Sequence, residues 1–155
     1  MLSQRSHYAL RAMLVLAGGK AHAPIRTGEI ARATNIPPKF LEAILLELRK
    51  AGLLTSQRGC KGGFQLARPA KQISFADIVR VTDGSLAMAP CANEFSPRQC
   101  EDCFGEEHCQ IRRAMVQARE NADRVLQAYD LDAVARRKCY GRDILAGWSS
   151  GRGSV

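Results

Sequence analysis

The stretch CEDCFGEEHC sets Cys100, Cys103 and Cys109 within ten residues, with Cys91 just upstream, in a chain of 155 residues that has only six cysteines. Eight, two and five residues separate these four in turn. Thiolates gathered on one short segment support three chemistries: a structural zinc, an iron–sulfur cluster, or a thiol redox switch. Zinc sites are commonly built from two tight C-x2-C pairs, and Cys100/Cys103 is the one such pair, so the spacing permits zinc without calling for it. Iron–sulfur clusters accept wider spacings on one loop. A dedicated redox thiol needs a lowered pKa and a resolving partner, whereas the carboxylates of EDCFGEEHC push thiol pKa values up. Cys91, Cys100, Cys103 and Cys109 are all candidate ligands, and spacing alone leaves the three chemistries open.

A ligand loop must be held between ordered elements, and the apolar periodicity supplies them. Residues 3–17 place Tyr8, Met13, Leu14 and Leu16 on one helical face, ended by Gly18 and Gly19. Thr27 is a candidate N-cap for a short helix, TGEIARATN, which Asn35 stops. Pro37 and Pro38 suit the first turn of a third helix, where a missing N–H costs nothing. Its stripe is Phe40, Leu41, Ile44, Leu45 and Leu48, and Gly52 is its stop. Two extended runs, Leu53–Gln57 and Phe64–Ala67, then flank the glycine-rich RGCKGG and predict a wide-tipped hairpin. Ser74, three residues before Asp77, opens a brief helix that Gly84 ends.

Residues 85–108 have no sustained period and form the cysteine loop. From about Glu106 to Tyr129 a helical stripe returns through Ile111, Met115, Ala118, Ala122, Val125, Leu126 and Tyr129. About 24 residues of helix would span about 36 Å, too long to bury against so small a domain, so its stripe predicts a second copy of the chain as partner. DLDAVARRKC adds one or two turns, and the tail GWSSGRGSV, with Trp148, reads as flexible. The expected class is mainly α with a small β-hairpin wing: a winged helix-turn-helix over 1–84, a cysteine loop over 85–108, a dimerisation helix region over 109–138 and a tail over 139–155.

The formal net charge is +8 with a pI near 9.5, which fits a solvated basic surface or a polyanionic partner, nucleic acid first, and leaves the choice to the motifs. With two helices at this spacing, the second is set into the major groove of double-stranded DNA and the hairpin reaches the backbone or the minor groove. Lys39 can reach phosphate or guanine, and Glu42 can accept from a cytosine amino group. Arg58 and Lys61 flank the hairpin tip, where Gly59 lets the backbone approach phosphate closely. Arg26 and Thr27, at a helix start, suit phosphate. No aromatic stacking platform favours RNA. No acid–base pair, nucleophile motif or phosphate loop favours an enzyme. No apolar run approaches the roughly 18 residues of a membrane span, and no secretory signal order opens the chain. A cytoplasmic location is therefore expected, where cysteines are more often metal ligands or redox groups than structural disulfides.

HYALRAMLVLA, GEIARATNIPPKFLEAILLELRKAGLL, RGCKGGFQLARP and ISFADIVRVTDG together resemble the IscR/NsrR/RirA-type transcription regulators (the Rrf-two family), over roughly residues 1–130. LRKAGLLTSQRGCKGGFQLARP is the most specific block. The resemblance implies a homodimer, DNA-facing roles for Lys39, Glu42, Arg58 and Gly59, and an iron–sulfur cluster, [2Fe–2S] or [4Fe–4S], in the loop before the long helix. Cys103 and Cys109 match the second half of the family's cysteine pattern, while Cys91 lies farther upstream, and Cys100 closer, than its first position. In some relatives a further ligand comes from the partner's first helix, just before a YA pair, which here is His7. The wing carries Cys60 where the family more often has proline.

Overall fold

The computed structural model describes residues 2–19, 23–59, 62–101, 103, 105 and 108–136. Helix α1 (Gln4–Gly18) starts at Ser3, whose hydroxyl accepts from the Ser6 N–H at 3.1 Å, and it runs through the centre of the domain. Ala9, Ala12 and Met13 are fully buried on it. Helix α2 (Thr27–Thr34) takes its cap one residue earlier than expected. Arg26, not Thr27, is the half-helical residue, and its N–H is taken by the Glu29 carboxylate at 3.2 Å. Asn35, at φ 53°, ends α2 in the left-handed region that asparagine tolerates.

Helix α3 (Pro38–Lys50) buries Leu41, Ile44, Leu45 and Leu48 against α1, α2 and α4, each contributing about 1.5–3 kcal/mol of burial. Phe40 does not join them: it is 67% exposed. Its position about 100° round the helix from Leu41 carries it off a core already filled by the other four. Gly52, at φ 74°, turns the chain out of α3 in the left-handed conformation expected of a helix stop.

Strands β1 (Leu54–Gln57) and β2 (Gly63–Leu66) pair antiparallel, Leu54 opposite Leu66 and Gln57 opposite Gly63. The hairpin is sewn to the helices by a bridge between Ile25 and Phe64, each N–H reaching the other's carbonyl at 2.9 Å. Gly63 makes that approach possible, since a Cβ there would lie 2.4 Å from the Ile25 carbonyl oxygen.

Helix α4 (Phe75–Thr82) has the reciprocal cap expected: the Ser74 hydroxyl accepts from the Asp77 N–H at 3.1 Å, and the Asp77 carboxylate accepts from the Ser74 N–H at 2.9 Å. A 3-10 turn, Pro90–Ala92, interrupts the cysteine loop. Helix α5 (Gln110–Ala128) has 19 residues, about 28 Å, and starts four residues later than expected because Cys109 takes the cap position. Helix α6 (Leu131–Ala135) returns the chain to α1 and fully buries Leu131. No described residue of α5 is buried, and Ile111 and Val125 of its apolar stripe are 71% and 56% exposed. The tail that the sequence reads as flexible, with Trp148 and Cys139, lies outside the described residues, as do Cys60, Lys61 and His22.

Candidate nucleic-acid interface and cysteine loop

The first turn of α3 presents Lys39, Phe40 and Glu42 to solvent together. Arg58 and Gly59 lie at the exposed end of the hairpin, with Gly59 at φ 103°. Between helix and hairpin, Arg26, Thr27, Ser56, Gln57, Gly59 and Gly62 line an open cleft of about 570 Å³. Arg26 and Thr27, chosen from sequence for their place at a helix start, thus face the wing backbone as well. Arg49 was not singled out from sequence. It donates to the Ser56 hydroxyl at 3.0 Å and ties the last turn of α3 to β1. A contact across seven residues and a turn leaves no periodic signal.

On the other side of α4, the cysteines occupy three different settings. Cys91 is 6% exposed within the 3-10 turn, and Cys100 is exposed, yet their sulfurs stand 3.8 Å apart. Cys103 is one turn on, its N–H held by the Cys100 carbonyl at 3.2 Å. Cys109 caps α5, its sulfur accepting from the Arg112 N–H at 3.4 Å. The Cys100 thiol is pushed above its ordinary pKa, first by its hydrogen bond to Cys91, then by the Cys91 charge, by burial and by the charges of Cys103 and Cys109. The structure therefore brings Cys91 and Cys100 into contact and keeps Cys103 and Cys109 within electrostatic reach. Among the described residues it does not gather three or more His, Cys, Asp or Glu side chains into a metal-holding group. His7 is exposed on α1, and His108 is exposed next to Cys109.

The donor set nevertheless has the chemistry of an iron–sulfur site: four soft thiols on one segment, all free, with one sulfur sheltered and one open to solvent. The Cys91 end of the segment is fastened to α5. Arg119 on α5, with a side chain 15% exposed, donates to the Ala92 carbonyl and to Glu94, each at 3.2 Å. Glu94 also accepts from the Ser85 hydroxyl. Burial pushes the Glu94 pKa up, but Ser85 and Arg119 together outweigh it and hold the carboxyl below its ordinary value.

The sequence pattern of the Rrf2 family, described as an iron-dependent transcriptional regulator, matches residues 2–137. The chain belongs to the Rrf2 family. It is 38% identical over 120 residues to a putative HTH-type transcriptional regulator, rrf2-like, of Rhodobacter capsulatus, covering 76% of this chain and 80% of that protein. The structure of CymR, the global cysteine regulator of B. subtilis, superposes with a TM-score of 0.71 at 28% identity, over 87% of this chain and 95% of the other. T. potens IscR superposes with a TM-score of 0.67 at 27% identity, over 86% and 85%. The winged helix-turn-helix reading of the sequence is thus borne out. As a member of this family the chain is a DNA-binding transcription regulator and not an enzyme. No helix among the described residues is long and apolar enough to cross a membrane.

Proposed function

We propose that two copies of this chain bind a double-stranded DNA operator in the cytoplasm and report the state of an iron–sulfur cluster held by the cysteine loop. Residues 1–84 would form the reading head, 85–108 the sensing loop and 109–138 the dimer contact. Lys39 and Glu42 would meet base edges in the major groove, with Arg26, Thr27, Arg58, Gly59 and Lys61 on the phosphate backbone. Cys91, Cys100, Cys103 and Cys109 would hold the cluster, with His7 of the partner subunit as a further candidate. The observation that carries the reading is the meeting of Cys91 and Cys100 at 3.8 Å on a segment that also bears Cys103 and ends in Cys109.

When bound, the cluster supplies a redox- and iron-sensitive centre whose loss frees its thiolates. The chain does the rest. Arg119 fastens the turn that bears Cys91 to α5, and Arg80 of α4 is fastened to Asp123 of α5, donating to both carboxylate oxygens at 2.7 Å. A rearranged loop therefore pulls on the helix that sets the spacing of the two reading heads. A coupling of about 1–3 kcal/mol between loop and DNA changes affinity about 5- to 150-fold, enough for a switch.

A second reading has the same contact in its favour. Two sulfurs at 3.8 Å, one sheltered and one exposed, are also placed for a thiol redox sensor without a cluster, and the same four thiols accept structural zinc. An anaerobic absorption spectrum with iron, sulfide and zinc assays on the same sample separates the three. Visible absorption with matching iron and sulfide, lost in Cys103→Ala and in Cys109→Ala, is expected. A colourless protein with stoichiometric zinc, or with no metal after anaerobic reconstitution, would replace the cluster by zinc or by thiol chemistry. DNA affinity identical with and without the cluster would reject sensing and leave DNA binding standing.

A further inference from the structure

On α3, Leu41, Ile44, Leu45 and Leu48 are buried and together with α1, α2 and α4 close the core, and Leu46 packs half-buried against it. Phe40 is the large apolar side chain of α3 left open to solvent, an aromatic ring 67% exposed between Lys39 and the Glu42 turn. Leaving such a ring in water forgoes about 1.5–3 kcal/mol of burial, which a partner covering it would recover. Phe40 makes no hydrogen bond through its side chain, so it has nothing to offer a phosphate or a base donor. In the major groove the base edges carry one apolar group, the 5-methyl of thymine. The setting selects that occupant over a protein partner: Lys39 adjoins the ring, the wing presents Arg58, and the chain carries a net charge of +8, all complementary to a polyanion.

We infer that Phe40 is a specificity-determining residue that reads a thymine methyl in each operator half-site, beside the hydrogen-bonding contacts of Lys39 and Glu42. The inference rests on α3 lying in the major groove, and it goes further in assigning an A·T requirement to one apolar side chain. Such a contact discriminates by shape and desolvation. It accepts thymine and 5-methylcytosine at the methyl position and penalises uracil, which keeps every hydrogen-bonding group of thymine and lacks only the methyl.

The test uses the full-length protein and a site recovered by selection from random duplex DNA. Each thymine of that site is replaced singly by uracil, and affinity is measured at one fixed salt concentration for the wild type, Phe40→Ala and Phe40→Tyr. For the wild type, uracil at one position per half-site should weaken binding about three- to tenfold. Phe40→Ala should bind the thymine site about that much more weakly and be indifferent to uracil at that position, whereas Phe40→Tyr, which keeps the ring, should retain the penalty. Because Phe40 is exposed, an unchanged far-ultraviolet spectrum and melting temperature are expected for both variants. A uracil profile that is the same in Phe40→Ala as in the wild type would overturn the role of Phe40 while leaving DNA binding intact. Failure of the wild type to select any sequence would instead overturn groove reading by α3 itself, and this inference with it.

Discussion

Arg119, midway along α5, donates to the carbonyl of Ala92 at 3.2 Å, and Ala92 directly follows Cys91. The same guanidinium reaches Glu94 on the loop and Glu120 on its own helix, so one half-sheltered cation holds the turn of the cysteine loop in place. Hydrogen bonds from a charged donor contribute about 1.5–3 kcal/mol each when sheltered and less when partly exposed. In metal-free protein, Arg119→Gln should let the Pro90–Ala92 turn open more often. Cys91 would then react with an alkylating reagent at least about tenfold faster, a local loss of about 1.4 kcal/mol. Global melting should shift far less than a core mutation would shift it. An unchanged Cys91 rate would mean that the turn is held by its own packing and that Arg119 transmits nothing.

Asp83, just after α4, accepts from the N–H of Ser3 at 2.9 Å and from the Ser3 hydroxyl. It thereby fastens the start of α1 to the end of α4. Burial pushes its pKa up, but the hydroxyl and N–H of Ser3, with help from Ser6 and the chain's amino terminus, outweigh it and hold the carboxyl below its ordinary value of 3.8. A carboxyl with a depressed folded-state pKa stabilises the fold above its unfolded value and loses that contribution as pH falls through the folded one. Asp83→Asn should therefore lower stability at pH 7 by about 1 kcal/mol. The difference from wild type should shrink on acidification below about pH 4. Thermal melting from pH 7 to pH 3 checks this, and parallel pH curves for the two proteins would rule out the linkage.

What the sequence made legible follows from what is local. The reciprocal cap of Ser74 and Asp77, the stop at Gly52 and the glycine-rich hairpin all depend on residues within a few positions of one another, and each forms where expected. Phe40 was misread because a helical stripe shows which residues share a face but not where the core behind it is already full. The start of α5 was read too early because residues 106–109 continue the helical composition while Cys109 takes the cap. The contacts that shape the candidate site join distant residues: Arg80 to Asp123, Arg119 to Ala92, Ile25 to Phe64. None leaves a periodic trace. The cysteines themselves were plain, but the burial of Cys91 in a 3-10 turn and its approach to Cys100 needed the fold.

Gly63 is one point where the wing touches the helix-turn-helix. A Cβ there would meet the Ile25 carbonyl oxygen at 2.4 Å and the Arg26 nitrogen at 3.0 Å, all backbone atoms with no flexible end to yield. Gly63→Ala should break the Ile25–Phe64 bridge at a cost of about 1–3 kcal/mol. It should also reduce DNA affinity more than stability alone explains, because the cleft of Arg26 and Thr27 opens. Melting and DNA titration on the same variant check this. A variant with wild-type melting and wild-type affinity would show that the wing tolerates the shift and does not set the cleft.

The apolar face of α5 is only partly covered within one chain: Leu126 packs against the core, while Ile111 and Val125 stay exposed. Ala122, Val125 and Leu126 border a groove of about 960 Å³ whose opposite wall includes Leu2, Leu86 and Met88. An exposed helix stripe beside such a groove is the kind of surface a two-fold dimer covers. Val125 is exposed in the single chain, so Val125→Glu should fold normally. In a dimer it would place a carboxylate in an apolar contact, at about 3 kcal/mol or more and thus more than a hundredfold in dimer affinity. Sedimentation of the wild type at twice 17.0 kDa and of Val125→Glu at the single-chain mass is the expected pair of results. DNA binding to a two-half-site operator should weaken in step, because each reading head alone contacts only half of it. If Val125→Glu sediments as a dimer at the same concentrations as the wild type, the α5 face is not the interface, and the loop's hold on α5 would no longer bear on the spacing of the reading heads.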